Sequence, residues 1–428
     1  MSEAEIPLSQ TPRHDRRGAF FLLFLALAVV GIGNTMLFSA VLPPLVVELE
    51  LPYWTLGAIA SLSALLWVVM SPFWGGKSNE WGRKRVIVFG LMGYALSMLL
   101  IGIFASLAVL QIITAPVVIV LSLVFSRALF GLIGSGTSPA AQAYVADRTT
   151  PDERQEEIAF LTSGFSLGTI VGPAFAAAIA AALGLLSPIF LAAILSASVA
   201  LLIWLKLPEQ TPPKQEGKPR PRILNPMWLD RRILPYVLFA MALSISVGIV
   251  FQSYGFAMMD KMNVRDTQVV NYLGPAYSMG AAATMLAQLV IIPRAHLSNR
   301  SLMVWGAVIF SVGVLLIIPT DQYAVLIMAQ FFVGIGNGLC RPGYFAGASL
   351  AVSNDEQGDV AGVIMGANAI GFVFSPVLGP AMYEYVGVDV PFYLAGAISL
   401  GMGVFAWFAV KEHKDDESQV RKDSGSQV

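Results

Sequence analysis

The chain is predicted to be an all-α polytopic membrane protein, and three observations predict it. Of its 428 residues 56% are hydrophobic and only 12% charged, against roughly 25% charged in a soluble domain. The mean hydropathy is +0.71. The apolar residues fall into long runs, each long enough to cross a bilayer whose hydrocarbon core takes about 20 helical residues. Length is therefore to be read as a number of membrane spans, not of soluble domains.

Twelve spans follow in order: 18–46, 54–74, 86–106, 116–146, 157–183, 186–206, 233–257, 267–292, 301–318, 322–350, 358–384 and 388–410. The first is too long for a signal-peptide core, and further spans follow it. Pro116 suits the first turn of the fourth helix. Between spans 6 and 7 the run beginning LPEQTPPKQEGKPRPR is rich in Pro, Lys and Gln, the composition of a solvated, semi-extended linker. The expected organisation is a tail (1–17), a six-helix bundle (18–206), a central loop (207–232), a second six-helix bundle (233–410) and a tail (411–428).

Orientation follows from Lys and Arg. With the N-terminus inside, 22 basic residues fall on the cytoplasmic side and only Lys261 and Arg265 outside. That asymmetry is a strong positive-inside signal and places both termini in the cytoplasm.

The halves also repeat. A shift of 203 residues aligns 116–173 with 319–376 without a gap, and nine of 58 positions are identical. The pairs Pro116/Pro319, Gly131/Gly334, Pro139/Pro342, Asp152/Asp355, Glu153/Glu356, Gly168/Gly371 and Pro173/Pro376 are among them. Gly and Pro carry backbone constraints, so they persist where apolar residues drift. Parallel six-helix repeats place a binding site near the bilayer midplane, between the halves.

Several function classes are excluded on composition. A net charge of −1 provides no field for nucleic acid. Cys340 is the only cysteine, so no intrachain disulfide or cysteine-based metal site is possible. The three histidines fall in tails or loops, so no metal is expected, nor any cofactor. No GxxxxGK[ST] loop occurs to hold ATP. No nucleophile–base pair stands out, so no enzyme is expected.

Two arginines lie inside spans. Arg127 is 11 residues into span 4, about 16 Å deep. An ionisable residue there is costly and marks a functional site by default; a structural arginine bonded to backbone carbonyls is the plainer reading. Arg341 is about 13 Å from the inner end of span 10, with Asn337 and Tyr344 on the same helix face. That stripe could line a cavity or bond helix to helix. Asn34, Gln142, Gln252, Tyr254, Tyr277, Gln288 and Asn368 are further polar candidates within spans. Of these Asn34, Gln252 and Tyr277, with Arg127, Arg341, Asn337 and Tyr344, make up the expected substrate and proton cavity.

Span 5 carries Gly164, Gly168, Gly172, Ala176 and Ala180 on one face, with Pro173 directly after Gly172. Small residues at that spacing let helices approach closely. After span 2 the loop reads Gly75-Gly76-Lys77-Ser78-Asn79-Glu80-Trp81-Gly82-Arg83-Lys84-Arg85, and span 4 contains Arg127-Ala-Leu-Phe-Gly131-Leu-Ile-Gly134.

These three motifs, in the chain order loop, span 4, span 5, resemble the major facilitator superfamily over essentially the whole chain. They are most similar to its twelve-helix drug–proton antiporter branch, which includes tetracycline exporters. The resemblance implies secondary transport of a small molecule by a multi-pass protein of the bacterial cytoplasmic membrane. Protons and the lipid bilayer are the other partners it implies, and a monomer is expected. It makes Gly75, Asn79, Gly82, Arg83 and Asp147 a cytoplasmic gate with an Arg83–Asp147 contact, and makes Gly164, Gly168, Gly172 and Pro173 a rocking interface between halves. Asn79 stands where that family has Asp, and Glu80 where it has Arg. The first span has no acid before Glu48, where tetracycline-type exporters usually carry one. A cavity with two arginines and no clear carboxylate suits an anionic or acceptor-rich substrate. Export of an anionic metabolite or siderophore-like compound therefore stands beside drug export, with a non-transporting membrane sensor as a third possibility.

Overall fold

A computed structural model describes residues 13–149, 151–209, 226–264, 268–295, 297–352 and 357–410. The expected tails fall largely outside these residues, as do most of the central loop and the acidic pair Asp355-Glu356.

The long helices are α3 (Trp54–Trp81), α4 (Arg83–Val109), α7 (Pro151–Leu183), α8 (Ser187–Lys206), α9 (Leu234–Met262), α12 (Asn299–Leu316), α13 (Tyr323–Leu350), α14 (Gln357–Tyr385) and α15 (Val390–Ala409). Three further spans are assembled from pieces. α1 (Arg13–Thr35) continues through a π-helical stretch, Met36–Val41, into α2 (Leu42–Glu48). α5 (Pro116–Leu132) passes through a tight turn at Gly134–Gly136 into α6 (Thr137–Ala146), and α10 (Val269–Leu286) passes through a second π-helical stretch into α11 (Ile292–Ala295). Among the described residues 11 helices are long and apolar enough to cross a membrane, or 12 when the pair Phe160–Pro173 and Phe175–Leu183, bent by 42°, counts as one span. The bend falls at Pro173, which removes a backbone hydrogen bond inside α7.

Helices α1 to α8 pack among themselves, chiefly α1 on α7, α4 on α8, α3 on α5 and α4 on α5. Helices α9 to α15 pack in the corresponding way, α12 on α13 and α15, α9 on α14, and α10 on α13. The halves meet where α3 lies along α14 and α7 along α10.

The core shows which end is shut. One apolar cluster contains residues of both halves, joining Met36, Val41, Leu45, Leu56 and Ala180 to Ile249, Tyr254, Phe256, Met259, Leu273 and Tyr383. All of these lie toward the helix ends away from the basic α3–α4 turn. At that end Tyr53 of α3's N-cap stacks on Phe256 (ring centroids 4.2 Å apart), and its backbone N–H donates to Glu384 Oε2 at 2.8 Å. Tyr383 donates to Asp260 Oδ2 at 2.6 Å. Gly57 is close enough to α14 that a Cβ would lie 2.5 Å from Val377 Cα. The second half's two remaining clusters, around Tyr236, Met303, Tyr344 and Ile364 and around Ala287, Leu302 and Leu339, sit at the basic end and draw on that half alone.

Candidate functional site

The first observed difference from expectation is at the basic turn. Residues 75–85 were expected as a loop, yet α3 runs unbroken to Trp81 and α4 begins at Arg83. Only Gly82 links them, at φ 94°, a left-handed conformation that favours glycine. A Cβ on Gly82 would also overlap the Glu209 carboxylate, which lies 3.8 Å from Arg85 Nε. Gly75 is thus a helical residue beside Pro139 of α6.

Arg83 is the hub of this turn. It is buried, and its Nε donates to Asp147 Oδ2 at 3.0 Å. Its Nη1 donates to Ser78 Oγ, which in turn donates to the Gly75 carbonyl at 2.7 Å. The hydroxyl of Ser78, not the amide of Asn79, meets the arginine; Asn79 is exposed. On a helix these adjacent residues point about 100° apart, so a reading that took the segment as a loop had no means to choose between them. Lys77 pairs with Glu80 at 2.6 Å, so the residue that departs from the family pattern finds a local partner.

Beyond Asp147, Arg148 stacks over Tyr144 with 3.6 Å between the guanidinium carbon and the ring centroid. Burial pushes the Arg148 guanidinium below its usual range, opposed by Tyr144 and Asp147. Tyr144 donates to the Pro208 carbonyl at 3.0 Å, fastening the start of the central linker to the same turn. At its far end Asp230 accepts from Arg232 at 2.7 Å, which holds the carboxyl below the usual carboxylate range.

The glycine face of α7 packs against α1. A Cβ on Gly168 would overlap the Ala28 carbonyl and come within 2.7 Å of Ile32 N; on Gly172 it would lie 2.9 Å from the Ile32 carbonyl, and on Gly164 3.1 Å from a Phe24 ring carbon. Both helices belong to the first half. This face is therefore a contact within one bundle, whereas α7 meets the second half through α10. Spacing showed that the face needed a close neighbour but not which helix supplied it.

Arg127 is 3% exposed. Its guanidinium carbon lies 4.3 Å from the Phe130 ring centroid, 5.2 Å from Phe38 and 5.9 Å from Tyr94. Nη2 donates to Asn34 Oδ1 and the guanidinium interacts with the Tyr94 side chain, while Nε and Nη1 make no hydrogen bond of good geometry among the described residues. An aromatic cage lends a cation its ring quadrupoles but leaves these donors unfilled. No carboxylate is among the described partners of this arginine. Sequence reading named Arg127 and Asn34 separately; the cage of Phe38, Tyr94 and Phe130 comes from three helices whose apolar residues carry no local signal.

The stripe on α13 divides. Tyr344 is buried and donates to Asn368 Oδ1 at 3.0 Å, which also accepts from Ser244 Oγ at 2.6 Å, so α9, α13 and α14 meet in one polar knot. Asn337 is half-buried and Arg341 exposed. On the helical wheel Arg341 lies between Gly338, which abuts α10, and Tyr344, and well round from Met328 and Ala346 on the exposed outer face. It therefore lies on the side of α13 between its contacts with α10 and with α9 and α14, and is exposed there. Tyr277 places its hydroxyl on the Phe251 carbonyl at 2.9 Å, tying α10 to α9. Gln252 is buried, with Oε1 unpaired. The cavity residues thus fall at two levels, Arg127 with Asn34 beneath the shut end and Arg341 with Asn337 nearer the basic end.

The family profile of the Major Facilitator Superfamily matches residues 23–295 and 273–427. The chain belongs to that superfamily. It is 27% identical over 402 residues to multidrug resistance protein 1 of Bacillus subtilis, covering 90% of this chain and 94% of that protein. It is 22% identical over 400 residues to the quinolone resistance protein NorA of Staphylococcus aureus, covering 92% and 95%. Its fold matches a bacterial homolog of the human lysosomal transporter Spinster, with a TM-score of 0.69 at 14% identity over 94% of this chain and 96% of that one. The superfamily fold is two pseudo-symmetric six-helix bundles, and the packing pairs above are its two halves.

Proposed function

We propose that this superfamily member is a secondary transporter that exports an amphipathic, drug-like small molecule by alternating access, driven by proton antiport. The observation that carries this reading is the core that, among the described residues, both halves share at the end away from the basic turn, above a caged arginine. Such a conformer is closed on one side of the membrane, with polar groups held beneath the closure. The excess of basic residues at the other end assigns that end to the cytoplasm, so the closed end faces outward and both termini lie inside. The bundles are residues 18–206 and 233–410. The names of the Bacillus and Staphylococcus relatives support drug export. We assign no enzymatic activity, and the working unit is a monomer in the cytoplasmic membrane.

A second reading has one specific observation in its favour. The two unfilled donors of Arg127, with Arg341 exposed on α13, suit a substrate bearing an anionic or acceptor-rich group. Reconstitution into liposomes with an imposed pH gradient separates the readings. A panel of cationic drugs and organic anions would be offered. Gradient-driven movement of cations supports antiport of drugs. Movement of anions alone removes that reading in favour of the second, and movement of neither returns the protein to a sensor role.

A further inference from the structure

The internal repeat extends beyond the segment that defined it. Helices α8 and α15 are each 20 residues long and begin 203 residues apart, with Pro188 and Pro391 in matching first turns. At the same shift Trp204 falls on Trp407, each the third-last residue of its helix. Both rings are exposed, at 52% and 55%. Their neighbours Leu201 and Leu205 in one half, and Val404 and Phe408 in the other, are exposed at equivalent positions.

Each tryptophan meets a cation from the helix packed beside it. Lys84, the second residue of α4, places Nζ 5.6 Å from the Trp204 ring centroid. Arg300, the second residue of α12, places its guanidinium carbon 4.4 Å from the Trp407 ring centroid. α4 packs on α8 and α12 on α15, so the two pairs occupy equivalent flanks of the two halves. Here the 203-residue shift does not hold, because Lys84 and Arg300 are 216 residues apart. Two different basic residues have reached the same place by different registers. Nε of Arg300 has no hydrogen-bond partner among the described residues.

We propose that these flanks are two equivalent docking sites for anionic phospholipid, with the headgroup phosphate at Lys84 or Arg300 and the acyl chains along the exposed apolar face of α8 or α15. The chemistry commits to lipid. An indole ring at the end of a span sits at headgroup depth, a cation there attracts anionic lipid, and the apolar residues one turn deeper meet hydrocarbon. A soluble anion would use the cation but not the band below it. A neutral lipid would use the band but not the cation.

Native mass spectrometry of the full-length protein, released from mixed micelles, tests the proposal. Phosphatidylglycerol and phosphatidylcholine would be offered at equal concentration. The expected result is preferential retention of phosphatidylglycerol, up to two molecules. In Lys84→Gln/Arg300→Gln that preference should fall about fivefold at each site, with phosphatidylcholine unaffected. Each single substitution should remove one site. The charge-keeping pair Lys84→Arg/Arg300→Lys should retain the preference, and it keeps the test decisive if the neutral variant folds poorly. Equal retention of the two lipids by the parent protein overturns the proposal. So does an unchanged preference in the neutral variant. Displacement of the lipid by inorganic phosphate at equal concentration would show a free-anion site instead, and also overturns it.

Discussion

Replacing Arg127 by methionine separates a functional arginine from a structural one. The side chain removed makes one described hydrogen bond, from Nη2 to Asn34, and lies within 6 Å of three ring centroids. A charged hydrogen bond contributes about 1.5–3 kcal/mol, and a well-placed ring about 2 kcal/mol where water is excluded, less for the two rings more than 5 Å away. Methionine keeps part of the ring contribution, since a thioether sulfur also packs well against aromatic edges. Asn34 is only half-buried, so its freed carbonyl can turn to water. Against this loss stands the desolvation of a guanidinium with two unfilled donors, several kcal/mol in a protein interior. The two sides are of similar size, and apolar replacement of buried ions is often neutral or stabilising by up to about 4 kcal/mol. Arg127→Met should therefore melt at or above the parent temperature while losing gradient-driven transport. Cys340 supplies the assay, since it is the only thiol and is fully buried. A thiol-reactive fluorophore added during heating reports unfolding without further labelling. A fall in midpoint of more than about 5 °C, the scale of losing about 2 kcal/mol, would refute this reasoning and make Arg127 a structural residue. Retained transport would refute it from the other side.

Other outcomes follow from the same geometry. Gly168→Leu must push α7 away from α1, an overpacking cost of about 1–3 kcal/mol or more, and should lower both melting midpoint and transport; wild-type values in both would show that this face has room. Arg83→Asp should impair transport, and Asp147→Arg in the same chain should restore part of it, measured as initial uptake into inverted vesicles; no recovery would show that the 3.0 Å pair acts through other partners. Arg341→Gln should leave the melting midpoint unchanged, because the side chain is exposed, but should raise the apparent KM for an anionic substrate; an unchanged KM would remove Arg341 from the path.

The spans were legible because their signal is local: long apolar runs, basic residues at one set of ends, and Pro and Gly at repeat positions. Helix ends were less so. The expected second span ended at Trp74, because the glycines and charges after it read as a loop. The helix continues to Trp81 since Gly75 packs beside Pro139 and Ser78 is buried against Arg83, and both are tertiary facts. The same limit hid the cage around Arg127. Phe38, Tyr94 and Phe130 are ordinary apolar residues of three spans, and only the packing of the first bundle converges them on one guanidinium. It also hid the partner of the glycine face, since small residues announce a close neighbour without naming it. The π-helical stretch after Thr35 had no sequence signal that periodicity could resolve.

The two arginines complement one another along the chain's internal symmetry. Under the 203-residue shift Arg127 corresponds to Gln330 and Arg341 to Ser138, so neither half repeats the other's charge. The equivalent sites are neutral: Ser138 accepts from Gln142 at 3.1 Å, and Gln330 is buried on α13 with no hydrogen-bond partner for its Nε2 among the described residues. Spans 4 and 10 run in the same direction, and Arg341 lies 11 residues further along its span than the counterpart of Arg127. Eleven helical residues rise about 16 Å. The charges are therefore staggered along the membrane normal, one exposed on α13 and the other buried beneath the shut end. Two buried cations at one level would have repelled each other in a medium that screens poorly. The stagger avoids that cost. Under the anion reading proposed above, an acceptor-bearing substrate would meet Arg341 first from the basic side and Arg127 only on moving deeper, a sequence that loss of transport in Arg127→Met with a raised KM in Arg341→Gln would bear out.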